Sequence, residues 1–199
     1  MIPKKIHYIW LGRCEKSERL KNIMATWDIL KDYEIKEWNE DNFDINYNKF
    51  TRQSYDAKKY AFTSDVIRLY ALYTEGGIYL DTDVSVHKDL DIFLSNHAFT
   101  GFEQYYYPVC ATMGAEKGNP IIKEMLDYYM DKEFELKDNW QDYTTNTVIM
   151  SDILADHGID RTRDELQIID NFTIYPRKYF MEEYTKHHMD GSWGQCNKK

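Results

Sequence analysis

The stretch Lys59 to Val84, KYAFTSDVIRLYALYTEGGIYLDTDV, decides the fold. It reads as a helix, a tight turn, a strand and then a pair of aspartates. Ser64 is placed to cap the helix by accepting from an orphan N–H of the first turn. Val66, Leu69, Tyr70 and Tyr73 recur at helical spacing. Gly76 fits the left-handed residue just past a helix end, and Gly77 frees the next bend. Ile78, Tyr79 and Leu80 form a short apolar run suited to a buried strand. Asp81 and Asp83 follow at spacing i, i+2. In an extended chain both side chains leave from one face, within reach of one ligand or ion.

Two carboxylates at the end of a buried strand repel each other, and neither is cheap to desolvate. A bound cation removes both problems. A hard ion such as Mg²⁺ or Mn²⁺ takes oxygen ligands and shares them with substrate phosphates. Asp-x-Asp alone carries little weight in an acidic chain, and a second copy stands at Asp89 and Asp91. The place of Asp81-Thr82-Asp83 after an apolar strand separates the two. Asp89-Leu90-Asp91 follows Lys88 in a polar turn and reads as solvated, or as a helix start before Ile92, Phe93 and Leu94.

Working outward, Ile6 to Gly12 reads as a first strand ending in a glycine turn. A helix from Ser17 carries the apolar stripe Leu20, Ile23, Met24, Trp27 and Leu30. Tyr33 to Trp38 alternates as a second strand. Strand, helix and strand at this spacing imply a parallel βαβ unit. Asp44 to Ser54 is polar and yields no element. Beyond the central stretch, Ala98 to Phe102 and Val109 to Met113 read as strands. Asn119 caps a helix opened by Pro120. Thr147 to Asp156 is a further helix, and Leu166 to Ile169 and Phe172 to Tyr175 are short strands. Tyr184 to Trp193 looks irregular. The expected architecture is α/β, one domain with a mostly parallel sheet flanked by helices. In such sheets ligands bind beyond the carboxyl ends of the strands, which puts Trp10-Leu11-Gly12 and Asp81-Thr82-Asp83 on one rim.

The 199 residues suffice for one domain with a sizeable core, and 43% hydrophobic and 30% charged residues are ordinary for a soluble protein. The net charge of -9 argues against a nucleic-acid partner, whose phosphates would be repelled. A single nucleotide is still accommodated if a metal neutralises its diphosphate. Cys14, Cys110 and Cys196 are odd in number and widely spaced, without metal-ligand spacing, and fit a reducing cytoplasm. No run approaches membrane-spanning length, and Met1-Ile2-Pro3-Lys4 does not open a signal peptide. The expected location is cytoplasmic, with a peripheral contact at the inner face of the cell membrane left open.

Three blocks together resemble a known family: Ile2 to Gly12, Ala61 to Val84, and His187-His188-Met189-Asp190-Gly191-Ser192-Trp193. The chain is similar to the glycosyltransferases with an Asp-x-Asp sugar-binding motif, found in bacterial capsule and lipopolysaccharide synthesis and among yeast initiating mannosyltransferases. It resembles more distantly the glucosyltransferase domains of clostridial toxins. The resemblance implies a GT-A fold and sugar transfer from a nucleotide-sugar to a saccharide or lipid-linked acceptor. It also implies a divalent metal on the diphosphate and retention of configuration. By the same resemblance Trp10 stacks on or beside the base, and Asp65 and Arg68 contact the donor sugar. Asp81 reaches ribose or sugar hydroxyls and Asp83 ligates the metal. Ile9, Leu11, Ser64, Tyr79 and Thr82 complete the donor-binding wall. The nucleotide-sugar part would cover about 1–115, and the acceptor side and a C-terminal lid about 116–199. Thr144-Thr145-Asn146-Thr147 departs from the Thr-Gly-Pro of many relatives, so no role is carried over there.

The residues themselves admit plainer readings beside these. Asp65 and Arg68, i and i+3 on one helix face, can grip a polyol or merely form a structural pair. Trp10 at a strand end is more often core than platform, and His7 is more simply a satisfied structural histidine. In the last block, His188 rather than His187 is expected to complete a metal shell with Asp81 and Asp83. Ser192 and Trp193 are suited to donate to phosphate, with Gly191 and Gly194 as hinges. Two other functions compete. Leu80 to Val84 also looks like a haloacid-dehalogenase-type phosphohydrolase motif, but that motif belongs on the first strand and needs a later lysine and acidic pair. A non-catalytic nucleotide-sugar-binding module is the other, and measured turnover would separate them.

Overall fold

The computed structural model describes residues 1–103, 107–108, 110–135, 140–191 and 196. The first half alternates β1 (Lys5–Ile9), α1 (Glu18–Met24), β2 (Glu34–Trp38), α2 (Lys49–Asp56), α3 (Tyr60–Glu75), β3 (Gly77–Leu80) and β4 (Val84–Val86). The second half adds β5 (Ala98–Gly101), β6 (Thr112–Ala115), α4 (Pro120–Asp127), α5 (Asn146–Asp156), β7 (Gln167–Ile169), β8 (Phe172–Tyr175) and β9 (Thr185–His187). Seven strands form one sheet in the order β2-β1-β3-β6-β5-β8-β7. The β2-β1-β3 part is parallel and so is β5 with β8, whereas β6 runs antiparallel to β3 and β5, and β7 to β8. β4 and β9 pair as a separate antiparallel ribbon.

The short run Ile78-Tyr79-Leu80 is apolar throughout because both faces of β3 are covered. Ile78 and Leu80 join a cluster with Ile6, Trp27, Phe93, Phe99 and Phe180 on one side. Tyr79 faces the other, where Val66, Leu69 and Leu72 of α3 pack with Met113, Ile121 and Met125. The glycine pair between α3 and β3 is enforced by space as well as by backbone angle. Gly77 has φ +123°, and a Cβ there would stand 2.7 Å from the Lys5 carbonyl oxygen and 3.0 Å from His7 Nε2. His7 itself is fully buried and satisfied. Its Nε2 donates to the Gly76 carbonyl at 2.8 Å and its Nδ1 accepts the Trp38 indole N–H at 3.0 Å, as a structural histidine should.

Several boundaries move from their expected places. α3 starts at Tyr60, so Ser64 lies inside the helix, where its hydroxyl donates to the Ala61 carbonyl at 2.6 Å instead of capping. The polar segment Asp44 to Ser54 hides α2, capped by Asn48, which accepts from Thr51 N–H at 2.8 Å. Its buried side is Phe50, Thr51 and Ser54, a stripe with a single large apolar residue. The tail, irregular by its sequence, contains β9, only three residues long and held by β4. Asn119 and Pro120 open α4 as expected, the Asn119 side chain accepting from Ile121 and Ile122 N–H. Asp89 and Asp91 sit in a polar turn, with Asp91 taken by Lys4 at 2.7 Å and Tyr33 at 2.9 Å. No helix among the described residues is long and apolar enough to cross a membrane.

One clip outside the sheet gives a pH-dependent expectation. His157, just past α5, has Nε2 2.8 Å from Glu124 and Nδ1 2.6 Å from Asp170. The bonds to Glu124 and Asp170 raise its pKa above the ordinary value. A folded pKa above the unfolded one contributes stability that is complete below the unfolded pKa and lost as pH rises through the folded pKa. His157→Ala is therefore expected to lower the unfolding midpoint more at pH 6 than at pH 9. The difference, on the order of 0.5–1 kcal/mol for these exposed partners, is read from paired urea melts.

Candidate active site

The rim at the carboxyl ends of β1 and β3 carries a cavity of about 340 Å³, within the ordinary range for small-molecule sites. Of the residues expected there, Ile9, Trp10, Leu11, Ser64, Arg68, Tyr79, Asp81, Thr82 and Asp83 line it. Asp65 stands behind Arg68 and does not. Ser192, Trp193 and Gly194 lie outside the described residues. Tyr60, Ala61, His187, Met189, Gly191 and Cys196 complete the lining.

Arg68 is the hub of the cavity floor. It is only 6% exposed, and its guanidinium lies 4.6 Å from the centre of the Tyr79 ring. Its NH1 donates to the Cys110 carbonyl at 2.9 Å, and NH2 lies 3.1 Å from Asp65 Oδ1 and 3.5 Å from Asp81 Oδ1. The Tyr79 hydroxyl donates to the same Asp81 oxygen at 2.5 Å. Asp81 thus has one oxygen fixed from two sides. Burial pushes the Asp65 carboxyl up to about 7, against the pull of Arg68. Asn146, the buried first residue of α5, faces Asp65 and works against that rise. Neither polar atom of the Asn146 amide has a hydrogen-bond partner of full geometry. Within a run of threonines it carried no sequence signal.

Asp81-Thr82-Asp83 is a tight turn, not an extended segment, closed by Val84 N–H donating to the Asp81 carbonyl at 3.0 Å. The turn still brings the carboxylates together, and it adds a histidine. Ligand atoms of Asp81, Asp83 and His187 all lie within 4.8 Å of one another. The expected histidine was His188, and the ladder explains the exchange. β9 sets His187 opposite Val84, which puts His187 Nε2 3.5 Å from Asp83 Oδ1. His188 turns to the other side, where its Nε2 is 3.0 Å from Ser85 Oγ. His87 fixes the direction of those bonds. Its Nδ1 donates to the Glu182 carbonyl at 2.9 Å, so its Nε2 accepts from Ser85, and Ser85 in turn accepts from His188. The His188 Nε2–H is spent there.

Asp83 also anchors the C-terminal segment. Its Oδ2 accepts the Asp190 N–H at 2.7 Å, its carbonyl accepts the His188 N–H at 3.0 Å, and Arg19 pairs with the Asp190 side chain. Burial works to raise the Asp83 carboxyl, but His187 and the Asp190 N–H outweigh it and hold it below the usual carboxylate range. Burial alone would lower the His187 imidazole, yet Asp83, Asp81 and Glu103 raise it overall. Its Nδ1 is buried without a partner. Two carboxylates and one imidazole with an orphan nitrogen suit a divalent cation of the Mn²⁺ or Mg²⁺ kind. Replacing His187 with Ala is expected to weaken Mn²⁺ binding at least tenfold by calorimetry, while His188→Ala changes it less than twofold. Equal losses would return His188 to the shell.

Cys14 and Cys196 are joined in a disulfide with Cα atoms 5.4 Å apart, across 182 residues of sequence. Two of the three widely spaced cysteines thus meet only through the fold, a pairing that the reading of a reducing cytoplasm did not include. The bond ties the loop after β1 to the C-terminal segment at the cavity edge. Cys110 keeps a buried thiol, pushed up to about 12 by burial. The Trp10 ring lines the cavity, but its indole N–H is taken by the Cys14 carbonyl at 2.7 Å. A haloacid-dehalogenase reading fits poorly, because no lysine is among the described lining residues and Asp81 is already held by Tyr79 and Arg68.

The parallel β2-β1-β3 core, flanked by helices and with an aspartate pair beyond β3, has the architecture of the GT-A fold. Residues 17–100 match the family described as glycosyltransferase sugar-binding region containing DXD motif, so the resemblance read from the sequence holds. Inositol phosphoceramide mannosyltransferase 3 of Schizosaccharomyces pombe is 30% identical over 130 residues, 63% of this chain and 36% of that protein. A glycosyltransferase of Acanthamoeba polyphaga mimivirus is 27% identical over 190 residues, 88% of this chain and 74% of the relative. The chain therefore spans about a third of the yeast protein it matches, 36%. Among solved structures, the PaToxG glycosyltransferase superposes with a TM-score of 0.57 at 22% identity, covering 78% of this chain and 68% of that one. A glycosyltransferase involved in glycosylation of the PBCV-1 major capsid superposes with 0.51 at 13% identity, covering 96% of each chain. These two likenesses concern the fold.

Proposed function

We propose that this chain is a metal-dependent glycosyltransferase that moves a hexose from a nucleotide-sugar to a saccharide or glycolipid acceptor, with retention, in cell-surface polysaccharide synthesis. UDP-hexose is the preferred donor and GDP-mannose the second. The observation that carries this reading is the Asp81, Asp83 and His187 group at the edge of a cavity floored by Arg68. Asp83 and His187 would hold the metal with Asp81. When bound, the metal draws charge from the departing nucleoside diphosphate. Trp10, Ile9 and Leu11 give the apolar wall for the base. Arg68, fixed by Asp65 and Tyr79, is a preorganised cation beside the sugar, so little reorganisation is needed as charge develops. The Ser192 and Trp193 contacts with phosphate, a lid over the diphosphate and a peripheral membrane contact belong to the same proposal. Thermal-shift titration with UDP and GDP, with and without Mn²⁺, tests it. A rise in the unfolding midpoint that requires the metal is expected, and a rise indifferent to Mn²⁺ would overturn the mechanism.

A further inference from the structure

The sheet brings one more carboxylate to the same rim, on the side of β3 away from β1. The β3–β6 ladder sets Leu80 opposite Thr112, and the β5–β6 ladder sets Phe99 opposite Gly114. β3 and β5 therefore both point their carboxyl ends to this rim, with β6 between them, and Glu103 follows directly after β5, just past the bridge between Phe102 and Pro108. Two strand spacings separate the backbones, roughly 9.5 Å, which two facing side chains can span. Glu103 is half-buried, and its backbone N–H donates to the Tyr107 carbonyl at 2.7 Å. Its carboxylate lies within electrostatic reach of His187, Asp81 and Cys110, the group around the aspartate pair. Among the described residues no hydrogen bond or ion pair reaches it, and burial raises its pKa. A half-buried carboxylate left without donors beside a binding site is completed most simply by the hydroxyls of a ligand. The donor cavity lies between β1 and β3 and is not lined by Glu103.

We propose that Glu103 is an acceptor-binding residue whose carboxylate accepts hydrogen bonds from hydroxyl groups of a neutral saccharide, across the Asp81–His187 group from the donor. This rests on the reading of the site as a glycosyltransferase. It also sets specificity, since a phosphorylated or carboxylated acceptor group would be repelled at this point. Transfer from UDP-glucose, UDP-galactose and GDP-mannose to methyl glucoside, galactoside and mannoside, with Mn²⁺, provides the test. Glu103→Gln is expected to raise the KM for the best glycoside at least tenfold and the donor KM less than twofold. The Glu103→Asp variant should fall between, and both should keep the midpoint rise given by nucleoside diphosphate with Mn²⁺. An unchanged glycoside KM, equal rises in both KM values, or a wild-type protein that uses none of the glycosides would overturn the proposal. A wild-type protein whose midpoint ignores nucleoside diphosphate and Mn²⁺ would overturn the reading of the site instead.

Discussion

Asp83→Asn is expected to remove the Mn²⁺-dependent rise in unfolding midpoint that nucleoside diphosphate gives the native protein. Asp83 is the carboxylate of the proposed metal group nearest His187, at 3.5 Å, and losing its charge should weaken Mn²⁺ binding by roughly 100-fold or more, beyond what removing an outer partner does. The fold should survive. The substituted amide keeps an oxygen for the Asp190 N–H, and the other oxygen of the Asp83 carboxylate faces His187. The pH dependence has a definite sign. The depressed pKa of Asp83 means that its carboxylate contributes stability above the unfolded pKa, and that this is lost as pH falls through the folded pKa. The variant should therefore be less stable than the native protein at pH 7 and indistinguishable from it near pH 2, if both stay folded there. Normal metal-dependent binding by the variant would make Asp83 a structural residue.

Arg68→Met should cost far more stability than any change at the metal group. The guanidinium is buried between Asp65, Asp81 and the Cys110 carbonyl, and its removal leaves carboxylates without a counter-charge. Breaking a buried pair from one side costs about 3–5 kcal/mol, because the remaining charge stays desolvated. The companion change Asp65→Asn in the Arg68→Met background should recover part of that loss, since Asp65, already pushed up to about 7 by burial, must take up a proton once Arg68 is gone. A double-mutant cycle in urea melts gives the coupling directly. A loss below about 1 kcal/mol for Arg68→Met would mean that solvent reaches the floor of the cavity and that Arg68 is a surface residue in effect.

The difference between what could and could not be read from the chain follows distance along it. The α3–β3 unit, with its glycine pair and the Asp65 and Arg68 spacing, depends on neighbours within one helical turn or one bend, and the residues there announce it. The choice between His187 and His188 depends on the register of β9 against β4, about a hundred residues earlier in the chain. A strand inverts its faces at every residue, so a slip of one position exchanges the two imidazoles. The Cys14–Cys196 bond is longer-ranged still, and no spacing rule finds it. Asn146 and Glu103 were missed for another reason. Each is an ordinary polar residue locally, and becomes notable only when the fold buries it beside Asp65 or His187. Ser64 could serve as a cap by its residue type alone, yet α3 already begins at Tyr60, where Tyr60 and Phe62 pack against the core and Thr63 is buried.

Calorimetric titration of UDP and GDP into the wild-type protein, first with a chelator and then with Mn²⁺, tests the central claim most directly. Coupling between two ligands is reciprocal, so the metal and the nucleoside diphosphate should raise each other's affinity by the same factor. One of the two nucleotides is predicted to bind at least tenfold tighter with Mn²⁺, and Mn²⁺ to bind tighter by an equal factor when that nucleotide is present. Equal nucleotide affinities with and without the ion would contradict the account.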